Sequence, residues 1–207
     1  MGSGLLSLLL SAEISRTRVE LQQTRDSYAA AILLEQQKAA KPVTRKYTVT
    51  YDISYRGEVL ADKTEFANLV RETLSSPNGW VRAGVTFKEV SSGGRLHVVL
   101  ASGDEVRAAA PYDGGCSATL SCTVKPYVLI NDTRWRLATD SYNNAGQSLK
   151  KYRQMVINHE VGHFLGHNHL TNCVNGVAPV MLQQSTGLRG CTANEWPLGS
   201  ELWVSGL

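Results

Sequence analysis

The chain has 207 residues, enough for one domain with a substantial core and an attached segment. Its hydrophobic content of 43% and charged content of 19% are ordinary for a globular protein. A formal net charge of +3 is too small to indicate nucleic-acid binding, so we expect no nucleic-acid partner. The sequence contains no run of about 18 apolar residues, so we expect no membrane span.

The first predicted element is a long helix over residues 11–40. Apolar residues recur along it every seven positions, at Ile14, Leu21 and Tyr28. Such a narrow apolar stripe is typical of a coiled-coil seam. We therefore predict that residues 1–42 form a helical segment and linker outside a domain over residues 43–207, and that this helix mediates a homo-oligomer or a larger assembly. The alternative is a helix that folds back on its own domain.

The domain itself is predicted to be α+β. Its predicted strands cover residues 46–55, 85–90, 95–101 and 126–131. A helix capped by Asp62 or Thr64 is predicted to run to about Leu74, after the first strand. The Ser-Ser-Gly-Gly segment over residues 91–94 predicts a hairpin-like connection between the second and third strands.

Two stretches of the domain are predicted to be irregular, residues 102–122 and residues 133–146. A long helix follows, which Ser148 can cap and which is predicted to continue to Leu165. Gly162 lies inside this helix, where glycine costs about 1 kcal/mol relative to alanine. Its presence indicates that another element approaches the helix closely at this point; the alternative is a glycine that is simply tolerated there.

Residues 159–169 carry the strongest chemical pattern in the chain, because HEVGHFLGHNH fits H-E-x-x-H-x-x-G-x-x-H. On a helix, His159 and His163 lie four positions apart and project from one face. Gly166 can take the left-handed conformation that ends a helix, after which His169 can reach the same ion. Three nitrogens leave a tetrahedral zinc ion with one open position, the arrangement of catalytic zinc sites.

Glu160 lies beside the two helical histidines, where its carboxylate can take a proton from a zinc-activated water. His167 competes with His169 for the ion. The pattern favours His169, which leaves His167 as a solvent-exposed histidine or one that supports the ligands. The competing interpretation of the whole pattern is a helix with scattered surface histidines. It would have to explain why four of the chain's five histidines fall within eleven residues.

Four cysteines are present, Cys116, Cys122, Cys173 and Cys191. An even number of cysteines beside a metal pattern made only of histidines favours disulfides over metal ligands. Of the three pairings that are open to four cysteines, we favour the two local bridges, Cys116–Cys122 and Cys173–Cys191. The alternative is four reduced thiols in a cytosolic protein.

The histidine pattern resembles that of the metzincins, the zinc endopeptidases defined by this motif and a later methionine turn. A methionine does follow, at Met181 within Ala-Pro-Val-Met-Leu. The resemblance implies that Met181 forms an apolar floor under the metal; the alternative is a loop methionine that contacts the core. Many metzincins carry a tyrosine two residues after this methionine. Gln183 stands there in this chain, so we assign no tyrosine to transition-state stabilisation.

A closer resemblance is to a zincin-like domain family of unknown function, found mainly in secreted or envelope-anchored actinobacterial proteins. It rests on residues 152–163, 178–181, 187–188 and 191–197, and it extends from about Lys46 to Pro197. It implies a mixed twisted sheet with a backing helix and an active-site helix. It also implies zinc on His159, His163 and His169 with Glu160 as the base, in a protein outside the cell, in its envelope or, alternatively, on a virion.

The sequence therefore predicts a zinc-dependent endopeptidase that acts on a peptide or protein, with Zn²⁺ as its cofactor. We expect the substrate to lie extended along an edge strand above the motif helix, although the sequence does not identify that strand. The alternative is a non-catalytic zinc-containing structural or binding module of an envelope or virion assembly. Glu160 favours the enzyme, because a structural zinc ion needs no such carboxylate.

Overall fold

A mixed five-stranded sheet forms the centre of the computed structural model, which describes residues 13–24, 27, 47–110, 116–205 and 207. Its strands are β1 (Tyr47–Arg56), β2 (Val85–Glu89), β3 (Leu96–Ala101), β4 (Cys122–Val124) and β5 (Tyr127–Asn131). They lie in the order β2-β1-β3-β5-β4, in which β4 and β5 are antiparallel and all other neighbours are parallel. The predicted α+β class is therefore confirmed.

The helices are α1 (residues 13–24), α2 (Lys63–Ser75), α3 (Gly103–Ala108), α4 (Asp132–Leu137), α5 (Asp140–Asn144) and α6 (Leu149–Leu165). Asp62 caps α2 by accepting a hydrogen bond from the backbone N–H of Glu65 at 2.8 Å. Ser148 caps α6 in the same way, with Lys151 as the donor. Both caps agree with the sequence prediction, because side-chain capping depends only on residues within one turn.

Successive side chains along each strand point to opposite faces of the sheet, so each face carries its own part of the core. One face packs against α2 and α6 and buries Val98, Leu100, Val128 and Ile130. The other face packs against α3 and the segment at Cys116, and it buries Val99, Ala101 and Leu129. The sheet thus supports α6, the helix that carries most of the histidine pattern, on its larger apolar face.

The second and third strands do not form the predicted hairpin. β2 and β3 each pair in parallel with β1, on opposite sides of it. The connecting loop must therefore cross β1. Gly94 makes this crossing possible, because a Cβ at this position would overlap the backbone of Tyr51. The loop is fixed there by a 2.8 Å hydrogen bond from the Gly94 N–H to the carboxylate of Asp52.

Both stretches that were predicted to be irregular contain regular elements. The first includes α3 and the first residue of β4, and the second includes most of α4 and all of α5. These elements are too short to show a helical or alternating pattern in the sequence. They are held by tertiary contacts instead: Trp135 of α4 and Tyr142 of α5 are completely buried in the main core.

α1 agrees with the start of the predicted helix over residues 11–40. Apart from Ser27, which is also helical, the rest of that prediction lies outside the described residues, as does the predicted boundary after residue 42. All side chains over residues 13–24 are exposed, including the apolar Ile14, Val19 and Leu21. Among the residues that the structure describes, no helix has both the length and the apolar character to cross a membrane.

We expect deletion of residues 1–42 to leave the remaining domain folded and monomeric, while the full chain associates. The exposed apolar side chains of α1 need a partner, because helices in water are stabilised mainly by packing. Light scattering and circular dichroism on both proteins check this. In the full chain, Leu21→Gln should weaken association and Glu20→Gln should not. A monomeric full chain whose deletion variant unfolds would instead place the helix within the domain.

Candidate metal centre

Three histidines converge at the end of α6. His159 and His163 lie one turn apart on this helix, which ends at Gly166 with a φ of 107° in the left-handed region. The chain then turns back, so that the Nε2 atoms of His163 and His169 are 3.0 Å apart. Each of the three residues offers one nitrogen, and these nitrogens all lie within 4.8 Å of one another. The structure therefore brings together the three residues that the pattern singles out.

Backbone carbonyls orient two of the three rings. The Nδ1 of His159 lies 2.8 Å from the carbonyl oxygen of Val180, and the Nδ1 of His163 lies 2.8 Å from that of His167. A carbonyl oxygen only accepts hydrogen bonds, so each Nδ1 carries the proton and each Nε2 keeps a lone pair. This tautomer is the one that allows both Nε2 atoms to bind a metal.

The chemistry of the donors, and the spacing of one pair of them, fit zinc. Bonds of about 2.0–2.1 Å in tetrahedral geometry place ligand nitrogens about 3.3 Å apart, close to the 3.0 Å between His163 and His169. Burial, reinforced by the neighbouring His163, lowers the pKa of His159 to about 3. Burial also lowers the pKa values of His163 and His169. The imidazoles are therefore neutral at neutral pH, the form that binds a metal.

Glu160 lies next to these ligands with only 5% of its surface exposed. Its Oε2 accepts a hydrogen bond of 2.7 Å from the Thr123 hydroxyl, whose oxygen also lies 2.9 Å from the backbone carbonyl oxygen of Glu160. Burial raises the pKa of Glu160 to about 7, and the hydrogen bond from Thr123 opposes that rise. A buried carboxyl group thus stands beside the histidines with one oxygen fixed by β4.

Met181 packs directly against α6 at Gly162. It is completely buried, and a Cβ at Gly162 would overlap the Met181 sulfur and crowd the ring of Trp80. The close approach predicted at Gly162 is therefore that of Met181 and Trp80. Val180 and Met181, which we call the methionine loop, are also joined to the residue after His169, because the N–H of Leu170 donates to the carbonyl of Met181 at 3.0 Å.

An open cavity of about 600 Å³ lies over the histidine cluster. It is bounded by α6, by β4 and by residues 166–169 and 183–186. In the part of the chain that the structure describes, β4 has a single neighbour, β5, and is therefore an edge strand. Thr123 of β4 and Glu160 of α6 both line the cavity, so its walls bring the sheet edge next to the buried carboxyl group.

Two disulfides hold the segments that surround this cavity. Cys116–Cys122 fixes the start of β4, and Cys173–Cys191 closes the loop that contains Met181. These are the two local pairings that the sequence favours. Disulfides persist in oxidising environments, so their presence is compatible with an extracellular location.

The two remaining histidines have structural partners. His167 is buried, and its Nε2 donates to the carbonyl oxygen of Trp203 at 2.9 Å, while burial lowers its pKa. It is therefore a supporting histidine and not a solvent-exposed one. His97 lies on β3, where its Nδ1 is 2.8 Å from a carboxylate oxygen of Asp52.

Sequence reasoning did not identify two residues that support the site. Thr123 lies on a three-residue strand, and the carboxylate of Glu201 accepts hydrogen bonds from the backbone N–H groups of Val180 and Met181. Neither residue belongs to a spaced pattern, and both act through contacts between segments distant in the chain. The only sequence signal that either of them offers is that Glu201 is the single charged residue in residues 198–207.

A family model described as a protein of unknown function (DUF3152) matches residues 22–197. The match covers well over half of the chain, which therefore belongs to the DUF3152 family. It begins at residue 22 rather than near Lys46, so it includes part of α1. No curated protein matches the chain.

We expect the purified protein to bind a single zinc ion per chain and His163→Ala to lose it, because the variant removes one of three converging nitrogens. Elemental analysis after dialysis measures the stoichiometry. His97→Ala serves as the matched control, since His97 is bonded to Asp52 and does not line the described cavity. Equal zinc content in the parent and His163→Ala would refute the ligand assignment.

We also expect replacement of both Cys173 and Cys191 by serine to lower the free energy of unfolding. A bridge that closes a loop of this size stabilises by about 3 kcal/mol, mainly by restricting the unfolded chain. Denaturant unfolding measures the difference, and mass spectrometry under non-reducing conditions verifies the bond in the parent. Free thiols at both positions in an oxidising preparation would rule out the pairing.

Proposed function

We propose that the protein is a zinc-dependent endopeptidase, metzincin-like in its site, with Glu160 as the general base. The observation that carries this proposal is the convergence of three oriented histidines beside a buried carboxyl group in an open cavity. Zinc, when bound by His159, His163 and His169, supplies Lewis-acid polarisation of a carbonyl group and makes water more acidic. A structural zinc site needs neither an adjacent carboxylate nor an open cavity.

Glu160 accepts a proton from the attacking water and passes it to the leaving amine. Thr123 donates to Oε2 of Glu160 at 2.7 Å, which leaves Oε1 for the proton transfer. This hydrogen bond also restricts rotation of the carboxyl group. A general base must lie within hydrogen-bond reach of the proton that it removes, so a fixed orientation supports the role.

β4 is the strand that we assign to substrate binding. An extended peptide can add to the unpaired edge of a sheet through its main-chain N–H and C=O groups. β4 is such an edge, it lines the cavity, and its Thr123 contacts Glu160. Pairing through the main chain fits a peptide or protein substrate and places the scissile bond next to the proposed base.

Met181 and the disulfides support the rest of the proposal. Met181 packs against α6 at Gly162, between the two helical histidines in sequence, which fits an apolar floor beside the metal. The two disulfides support action outside the cell or in the cell envelope.

Glu160→Gln tests the function. The amide keeps the volume of the side chain and cannot act as a base near neutral pH, so we expect retained zinc and a loss of at least about 10²-fold in kcat. Cleavage of a peptide library, with chelator and after zinc is restored, measures the activity. Glu58→Gln, at an exposed position after β1, is the matched control.

Two results would count against this proposal in different ways. Cleavage by Glu160→Gln at the parental rate would show that Glu160 is not the base. A parent that binds zinc and cleaves no peptide in the library would favour the non-catalytic structural or binding module.

A further inference from the structure

We propose that residues 198–205 form a C-terminal strap that positions all three candidate metal ligands, with Glu201 as its anchor. This inference rests on the metal centre of the proposed function and extends it to a segment beyond residue 197, where the family match ends. The strap does not contribute a ligand. It holds the backbone groups that orient two of the ligand rings and that bind the residue after the third ligand.

Glu201 joins the strap to the methionine loop. Its side chain is almost completely buried, and it accepts three backbone hydrogen bonds. Oε2 accepts from Leu198 at 2.8 Å and from Val180 at 3.0 Å, while Oε1 accepts from Met181 at 2.8 Å. A buried carboxylate is stable only when both oxygens are satisfied, so the position of the methionine loop depends on the strap.

The two residues that Glu201 holds are also the ones that contact the histidine segments. The carbonyl of Val180 accepts the Nδ1–H of His159, and the carbonyl of Met181 accepts the N–H of Leu170. Leu170 directly follows His169. The N–H groups of one short backbone segment therefore bind the anchor, and its carbonyl groups bind the ring of His159 and the residue that follows His169.

The strap reaches the second ligand through His167. The carbonyl of His167 accepts the Nδ1–H of His163, and its own ring donates to the carbonyl of Trp203 at 2.9 Å. The rings of His167 and Trp203 are in contact, with centroids 3.8 Å apart. The N–H of Ser205 then donates to the carbonyl of Leu165 at the end of α6.

Each ligand segment is thus linked to the strap through a single intervening residue. Val180 links the strap to His159, and His167 links it to His163. Met181 links it to Leu170, the residue after His169. Partners that orient metal ligands typically account for 10–100-fold in metal affinity. The strap therefore sets zinc affinity although none of its residues belongs to the histidine cluster.

The test is the zinc dissociation constant of the full-length protein, measured by competition with a chelator. Glu201→Gln turns an NH₂ group towards backbone donors and removes at least one of the three bonds. We expect zinc binding at least about tenfold weaker than in the parent. We also expect an altered visible absorption spectrum with Co²⁺, which reports the geometry of the ligands.

Asp132→Asn is the matched control. Asp132 is also buried and accepts backbone hydrogen bonds, from Leu60 at 3.1 Å and Ala61 at 2.9 Å. In the described chain, neither Asp132 nor these two partners line the cavity. The variant should lose stability in thermal unfolding and keep the parental zinc dissociation constant and Co²⁺ spectrum.

A second variant decides the question if Glu201→Gln does not fold. His167→Phe keeps the carbonyl that orients His163 and a ring beside Trp203, and removes only the donor to the Trp203 carbonyl. We expect this variant to bind zinc more weakly as well.

The strap proposal is wrong if the folded Glu201→Gln and His167→Phe variants bind zinc as tightly as the parent. It is also wrong if Asp132→Asn loses as much zinc affinity as Glu201→Gln. Neither result would contradict the metal centre itself. A parent that binds no zinc would refute the metal centre of the proposed function and the strap with it.

Discussion

The hydrogen bond between the Nδ1 of His159 and the carbonyl of Val180 is the contact on which the rest of the site depends. An imidazole directs its Nε2 lone pair to a defined point only when its other nitrogen has a fixed partner. At 2.8 Å, this bond fixes both the tautomer and the ring plane. The same bond requires the chain after His169 to return to the middle of α6, and the absence of a side chain at Gly162 makes that return possible.

Gly162 lies where the returning chain meets α6. Glycine inside a helix costs about 1 kcal/mol relative to alanine, and here the missing side chain is replaced by the sulfur of Met181 and the ring of Trp80. Met181 and Trp80 are both almost completely buried in the main core. Burial of large apolar side chains contributes about 1.5–3 kcal/mol each, so the close packing at Gly162 offsets the cost of glycine in the helix.

The features that sequence predicted well depend on residues close together in the chain. The caps at Asp62 and Ser148, the left-handed end of α6 at Gly166 and the spacing of His159 and His163 all lie within one or two helical turns. The connection between β2 and β3 shows the limit of such reasoning. A Gly-Gly segment suits both a hairpin and a crossing loop, and only the position of β1 between the two strands excludes the hairpin. Glu201 could not be predicted either, because its three donors are backbone groups whose positions exist only in the folded chain.

Under the proposed function, β4 both binds the substrate and orients the general base. A strand of three residues with one described neighbour gains little from its own ladder. Cys116–Cys122 fixes its first residue, and the Thr123 hydroxyl joins its second residue to Glu160. Substrate that pairs with β4 would therefore act on the same strand that orients the carboxyl group. Any movement of this edge changes both the position of the peptide and the direction of the proton transfer, so precise catalysis requires the strand to be held at both residues.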